Sequence, residues 1–448
     1  MDDRRGYGTR HATATRDYLS EALEAVLAGA PVEIEPPETQ GCLITPTAGV
    51  ASPAGPPLAG EGGEAVTYSG GVARLLERKC VPCHRTGGIA PFAMPDFYTV
   101  RGWSAMMREV VRTRRMPPWG ADPRHGRFRD DLSLTPEETR LLVGWIESGA
   151  PRGEGPDPLA DLELEENEWP LGPPDIVLAG REQEIPAAGT IPYRYSLMGE
   201  PLEEGVWLRA AHLKPSNPKV LHHALAFEGR LGGRAAAPDG DGSTRVPFYE
   251  RMITKYNPGV AAEPFPAGTG RWVPAGARIR VQLHYTPTGR TETDRPVLGL
   301  YLMDTPPERE LRYAAALNGS FEIPPHADRH EVEAEVVFER AVTLYSLQPH
   351  MHYRGRSMRF AAHYPDGSTE ILLSVPRYDF NFQTSYTLAE PKLLPAGTRV
   401  VCSGTFDNSA RNEANPDPTR AVRWGLQSSD EMFIGYLVYS AADPDAGG

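Results

Sequence analysis

Residues 358–375 run MRFAAHYPDGSTEILLSV. Two β-patterned runs flank Pro365-Asp366-Gly367, and a Gly-containing turn between such runs predicts a β-hairpin. Just upstream, Glu331–Phe338 places Val332, Ala334, Val336 and Phe338 at alternate positions, the period of a half-buried strand. Pro274-Ala275-Gly276 and Pro395-Ala396-Gly397 each precede a further β run, which predicts two similar β units in tandem. From Trp169 onward, short β-patterned runs alternate with Pro/Gly turns. The reading is two all-β sandwiches of jelly-roll type over residues 170–310 and 315–445, with a boundary near 305–322.

The whole composition agrees with turn-rich β structure: 45 Gly and 45 Pro in 448 residues. At roughly 150 residues per domain, this length holds about three domains. Lys plus Arg number 46 against 59 Asp plus Glu, a net charge of −13, so nucleic acid is not an expected partner. No apolar run is long enough for a membrane-spanning helix. The four cysteines, Cys42, Cys80, Cys83 and Cys402, are too few for a disulfide-stapled scaffold.

Upstream of Trp169 the periodicity is helical. Cys80-Val81-Pro82-Cys83-His84 is the attachment pattern of c-type heme. The two thiols add to the vinyl groups, and His84 is set under the iron as proximal ligand. Gly71–Lys79 reads as a short helix delivering Cys80. Thr135-Pro136-Glu137-Glu138 is a capping box with proline at the first helical position. It opens a helix with Leu141, Leu142, Trp145 and Ile146 on one face and Gly149 as its stop. Residues 65–152 are therefore expected to form a small all-α cytochrome c-like domain. Met116, in the stiff Arg115-Met116-Pro117-Pro118-Trp119 loop, is the expected sixth ligand. Met94, Met106, Met107 and His125 compete, with Met106 and Met107 better suited to a core. Residues 1–64 read as one amphipathic helix, Thr15–Gly29, and a flexible linker at 46–63. Met1–Arg16 has no apolar segment of a secretory signal.

The β half carries clustered histidines. His350 and His352 share one strand face and can grip a single metal. His222 and His223 are adjacent, so they can share a metal only at a bulge or strand end, or through different ring nitrogens. His284 lies in the strand-like Arg280–Tyr285 run. His212, His326, His330 and His363 read as ordinary structural or surface residues. Imidazole alone does not choose among copper, zinc, iron and nickel.

The order His222-His223, Gln282-Leu283-His284-Tyr285, His350-Met351-His352 and Asp430-Glu431-Met432 resembles the copper type II, ascorbate-dependent monooxygenases, the family of peptidylglycine alpha-hydroxylating and dopamine beta-monooxygenases. The resemblance covers roughly 170–445. It is stronger with bacterial members that carry a cytochrome c segment in front, through Gly88-Ile89-Ala90-Pro91-Phe92, Arg115–Trp119, Tyr285-Thr286-Pro287-Thr288-Gly289 and Phe406-Asp407-Asn408-Ser409. Residues 17–44, ending Gly41-Cys42-Leu43-Ile44, resemble the tail of the redoxin domain that precedes some of these proteins.

The resemblance implies two copper ions. His222, His223 and His284 would hold the electron-transfer copper. His350, His352 and Met432 would hold the copper where O2 reacts, with Tyr436 beside it and the two metals in separate sandwiches across a solvent cleft. It implies hydroxylation of a C–H bond in a small-molecule substrate, with electrons from ascorbate, the heme, or a redox partner protein. Gln348 and Ile434 depart from the groups that hold a peptide carboxylate in the amidating enzyme, so glycine-extended peptides are not expected substrates. Phe433 removes the disulfide partner of Cys402, leaving a buried thiol. Covalent heme assembly implies a periplasmic or extracellular location. The rival from another class is a heme/copper electron-transfer or copper-binding redox protein without turnover, which would have no need of Met432.

Overall fold

The computed structural model describes residues 5–6, 9–10, 18–29, 66–86, 88, 90–160, 162, 169–229, 251–257 and 262–442. The expected linker and Cys42 lie outside these residues. The chain divides into two compact units, Met1–Gly55 and Pro56–Gly448. In the first, the expected helix spans Tyr18–Leu27 and exposes Leu23, Val26 and Leu27.

In the second unit, Tyr68–Glu147 contributes helices and no strand among the described residues: a π-helical turn at Tyr68–Val72, then Ala73–Lys79, Phe97–Arg112 and Pro136–Glu147. The capping box forms as expected. Thr135 accepts from the Glu138 N–H, and Glu138 accepts from the Thr135 N–H at 3.0 Å. Leu75, Leu76, Phe97, Val100, Met107, Leu142 and Trp145 build one small core. Of the two adjacent methionines, Met107 is core but Met106 is half exposed, since successive helical residues point about 100° apart and only Met107 falls on the buried face of this helix.

From Ile176 to Ala441 every named element among the described residues is a β-strand. The 358–375 hairpin forms, with Met358 opposite Val375 and Gly367 at φ +87°, the left-handed conformation its turn requires. Two sheets matter for the site. One orders Arg194–Met198, Ile279–Tyr285, Leu221–Glu228 and Met252–Tyr256; the other orders Arg312–Asn318, Phe433–Ala441, Val342–His350 and Tyr386–Leu394. Strand alternation sends one side of each sheet into its own core. Ala224, Ala226, Val281 and Leu283 enter one core, and Leu347, Met351, Phe433 and Leu437 the other. The opposite sides meet each other. Phe227 and Met252 from the first sheet pack with Tyr313, Tyr345, Met432, Ile434 and Tyr436 from the second.

The loop after the Phe97–Arg112 helix ties the helical segment to the second sandwich. Asp122 N–H donates to Ser374 O and Arg129 N–H to Thr387 O, both at 2.8 Å. The Arg377 guanidinium donates to Thr113 O and Arg114 O at 3.2 and 3.0 Å. Trp119 packs edge-on against Tyr386 at 4.9 Å.

Candidate metal centre

The adjacency of His222 and His223 is resolved by a bulge. His284 pairs with His223 and Tyr285 with Leu221, so His222 is the extra residue and swings to the same side as its neighbour. One ligand atom from each of His222, His223 and His284 lies within 4.8 Å of the others. The ring nitrogens differ as well. His222 Nε2, His223 Nδ1 and His284 Nδ1 are buried without a hydrogen-bond partner among the described residues. The opposite nitrogens of two rings are occupied: His223 Nε2 by the Tyr193 hydroxyl at 3.3 Å, and His284 Nε2 by the Ser428 hydroxyl at 3.2 Å.

His350 and His352 lie on the facing sheet. His350 Nδ1 bonds Gln383 Oε1 at 2.6 Å, and His352 Nδ1 bonds Asp430 O at 3.3 Å. Each of those oxygens only accepts, so both rings carry their proton on Nδ1 and present Nε2 to a ligand. His352 Nε2 is itself a buried atom without a partner. Ile434 pairs with His350 and Tyr436 with Gln348, and residues opposite one another share a face. Two residues before Ile434, Met432 is 5% exposed and packs in the same cluster as Ile434 and Tyr436. Tyr436 stands 6.1 Å from the His350 ring, centroid to centroid.

The two groups are not separated by a cleft, contrary to the expectation. The His223 and His350 rings are 5.8 Å apart, so five histidines form one buried cluster between the sheets. The second sandwich also completes the first group: Phe380 stacks on His222 at 4.7 Å, and Ser428 meets His284.

Burial sets the electrostatics. It pushes the imidazole of His222 down to about 4, His284 to about 3 and His350 to about 4, and His223 and His352 also fall well below 6.5. Neighbouring histidines add to the shift at His223, His284 and His352. The rings are therefore neutral, the state a metal ligand needs. Several dry, partnerless imidazole nitrogens converging on one place are costly unless something binds them. The residues present thus fit metal ions, and a thioether beside imidazoles suits copper in its lower oxidation state.

A pH prediction follows. Unfolded histidine takes a proton near 6.5, whereas folded His222 and His350 resist protonation down to about 4. Between those values the unfolded chain binds more protons, so stability falls as pH falls. The copper-free protein should melt several degrees lower at pH 5 than at pH 7. A pH-independent melt over that window would contradict neutral, buried rings.

Sequence reasoning missed four residues here. Glu431 is fully buried beneath the site, accepting from the His352 and Arg354 N–H groups at 2.9 and 2.6 Å, and burial raises its carboxyl to about 8. It stood within the quoted Asp430-Glu431-Met432 run. Phe380, Gln383 and Lys255 carried no periodic signal. Arg354, also buried, has its guanidinium taken up by Asn408 Oδ1 and Ser429 O. Cys402 is a fully buried free thiol, as expected.

In the helical segment, Cys80 and Cys83 are free thiols of intermediate exposure. His84 is 9% exposed, and its Nδ1 donates to Phe92 O at 2.9 Å, leaving Nε2 for a ligand. Trp103, stacked on Phe92 at 4.2 Å, and Met106 and Met116 leave apolar surface exposed. Such a set fits a covalently held heme. Trp145 lies under Tyr68 in the core, its indole N–H donating to Pro151 O at 2.9 Å.

Fold and site together define a β-sheet protein with a buried multi-histidine metal centre. Residues 315–445 match the family described as copper type II ascorbate-dependent monooxygenase, C-terminal domain. That segment contains His350, His352, Met432 and Tyr436. No curated protein matches the chain. Among solved structures, the major capsid protein P2 of bacteriophage PM2 is similar at 9% identity over 59% of this chain and 99% of that one, with a TM-score of 0.27. The infectious bursal disease virus VP2 subviral particle is similar at 10% identity over 61% and 73%, with a TM-score of 0.18. Likeness at that level bears on neither fold nor function.

Proposed function

We propose that this protein is a copper-dependent monooxygenase that hydroxylates a C–H bond of a small organic substrate with O2. The observation that supports this reading is the five-histidine cluster: His350 and His352, rings 5.4 Å apart, stand beside His222, His223 and His284, and four of these rings have a buried nitrogen without a partner among the described residues. His222, His223 and His284 would hold one copper, and His350, His352 and Met432 the other. When bound, copper supplies the one-electron chemistry that reduction of O2 requires. The chain's own contribution is placement. Gln383 and Asp430 hold the Nδ1 protons of His350 and His352, which fixes each ring's tautomer and aim. Phe380 and Tyr353 keep water from the His222 edge.

Electrons would come from ascorbate and from a heme that Cys80, Cys83 and His84 would hold, with Met116 as a further ligand. Support comes from the loop that Arg377 anchors to Thr113 and Arg114: the same stretch carries Phe380 onto His222 and Gln383 onto His350. Covalent heme assembly would place the protein in the periplasm or outside the cell.

The test is O2 consumption by copper-loaded, heme-replete protein with ascorbate against a panel of small metabolites. Metal analysis should return about two copper ions per chain, and His284→Ala should lose one while sparing the other. A single copper, or zinc that copper fails to displace, would sink the two-metal reading.

A further inference from the structure

We propose that Lys255 is the substrate's anion receptor, holding a carboxylate of the molecule to be hydroxylated; the inference rests on the monooxygenase reading above. Lys255 sits on the Met252–Tyr256 strand, directly opposite Leu225. Leu225 is two residues from His223, and opposite or alternate residues share a face. Lys255 therefore stands on the histidine side of its sheet, about 7 Å along from the His223 row.

Its ammonium crosses to the second sandwich and donates to Gln348 Oε1. Gln348 in turn is two residues from His350 on the same face, again roughly 7 Å. The cation thus bridges the two sheets to one side of both histidine groups.

The surroundings are neutral. Leu225, Gln282 and Tyr195 continue its row across the first sheet, and Tyr436 lies opposite Gln348. Among the described residues no carboxylate pairs with Lys255, and one amide oxygen meets a group that has three protons to donate. Other buried cations in this chain are compensated. Arg271 lies 3.8 Å from Glu228 and 3.5 Å from Glu310, and the Arg354 guanidinium is met by Asn408 Oδ1 and Ser429 O at 2.8 and 2.9 Å. A half-buried charge without a counter-ion costs stability. An anion bound beside Lys255 would offset that cost.

Burial alone draws the amine down to about 7, which marks the same lack of a charged neighbour. The two arginines nearest His352 in sequence do not compete. Arg354 is locked in its network, and Arg356 is exposed and directed at Asp407. The substrate class is a small organic carboxylate whose reacting carbon lies a few bonds from the acid group.

The full-length protein, copper-free and copper-loaded, would be titrated calorimetrically with benzoate, phenylacetate and hexanoate and with their neutral amides. At least one acid should bind tenfold or more tightly than its amide. Lys255→Met should bring the acid-to-amide affinity ratio close to one, and Lys255→Arg should keep most of the preference. Thermal melts identify a variant that fails to fold, in which case Lys255→Gln replaces it. The proposal is overturned if the wild type prefers no acid over its amide, or if the preference survives in Lys255→Met. Copper content of the same samples separates the outcomes: missing copper defeats the metal reading, while the copper-free titration still judges Lys255.

Discussion

Replacing Met432 by Leu should lower hydroxylation by at least about a hundredfold, the scale seen on losing even an outer partner of a metal ligand. Leucine keeps the volume that Met432 fills among Phe227, Ile434 and Tyr436, so the packing cost should stay below about 1.5 kcal/mol. What disappears is the thioether. Met432→Ala would mix that loss with a cavity worth about 2–5 kcal/mol and is the poorer test. Met432→His should keep copper bound, because imidazole replaces sulfur, yet still fail at turnover. Met358 is the control: it is 1% exposed in the core of the second sandwich, and Met358→Leu should be close to neutral for rate. Undiminished hydroxylation in Met432→Leu would move the oxygen chemistry elsewhere. It would also favour the rival reading of an electron carrier, which has no use for a thioether.

The second large effect concerns the helical segment. In protein made with a c-type maturation system, heme staining on a denaturing gel should be positive. Cys80→Ala should weaken it sharply, and loss of both Cys80 and Cys83 should abolish it. The reason is covalent: only thioether bonds survive denaturation. His84→Ala should leave heme attached but change its spectrum, because the ring whose Nδ1 is held by Phe92 O would no longer reach the iron. If acid acetone extracts the heme of the wild type, attachment through Cys80 and Cys83 is wrong.

Local chemistry made part of this molecule readable in advance. The Thr135–Glu138 box, the Asp366-Gly367 turn and the alternation of residues 331–338 depend on neighbours within a few positions, and each forms as read. The spacing of Cys80, Cys83 and His84 is likewise written within five residues. Even the condition for His222 and His223 could be stated beforehand, a bulge or different ring nitrogens; the fold uses both. The choice between them, however, depends on where the Ile279–Tyr285 strand slips its register, and no period records that.

What tertiary structure alone decided is which sheet faces which. Period two tells that His350 and His352 share a side, but not that this side meets the sheet of His223 and His284. Their meeting closes the expected cleft to 5.8 Å between His223 and His350. It brings Phe380 and Ser428 onto histidines of the other sandwich, and it sets the Lys255 ammonium on Gln348. Pairing within a strand or turn is encoded by backbone geometry a few residues long. Contacts between sheets arise from burial of whole apolar faces, here Phe227 and Met252 against Ile434 and Tyr436, and the polar site is carried into place by that packing.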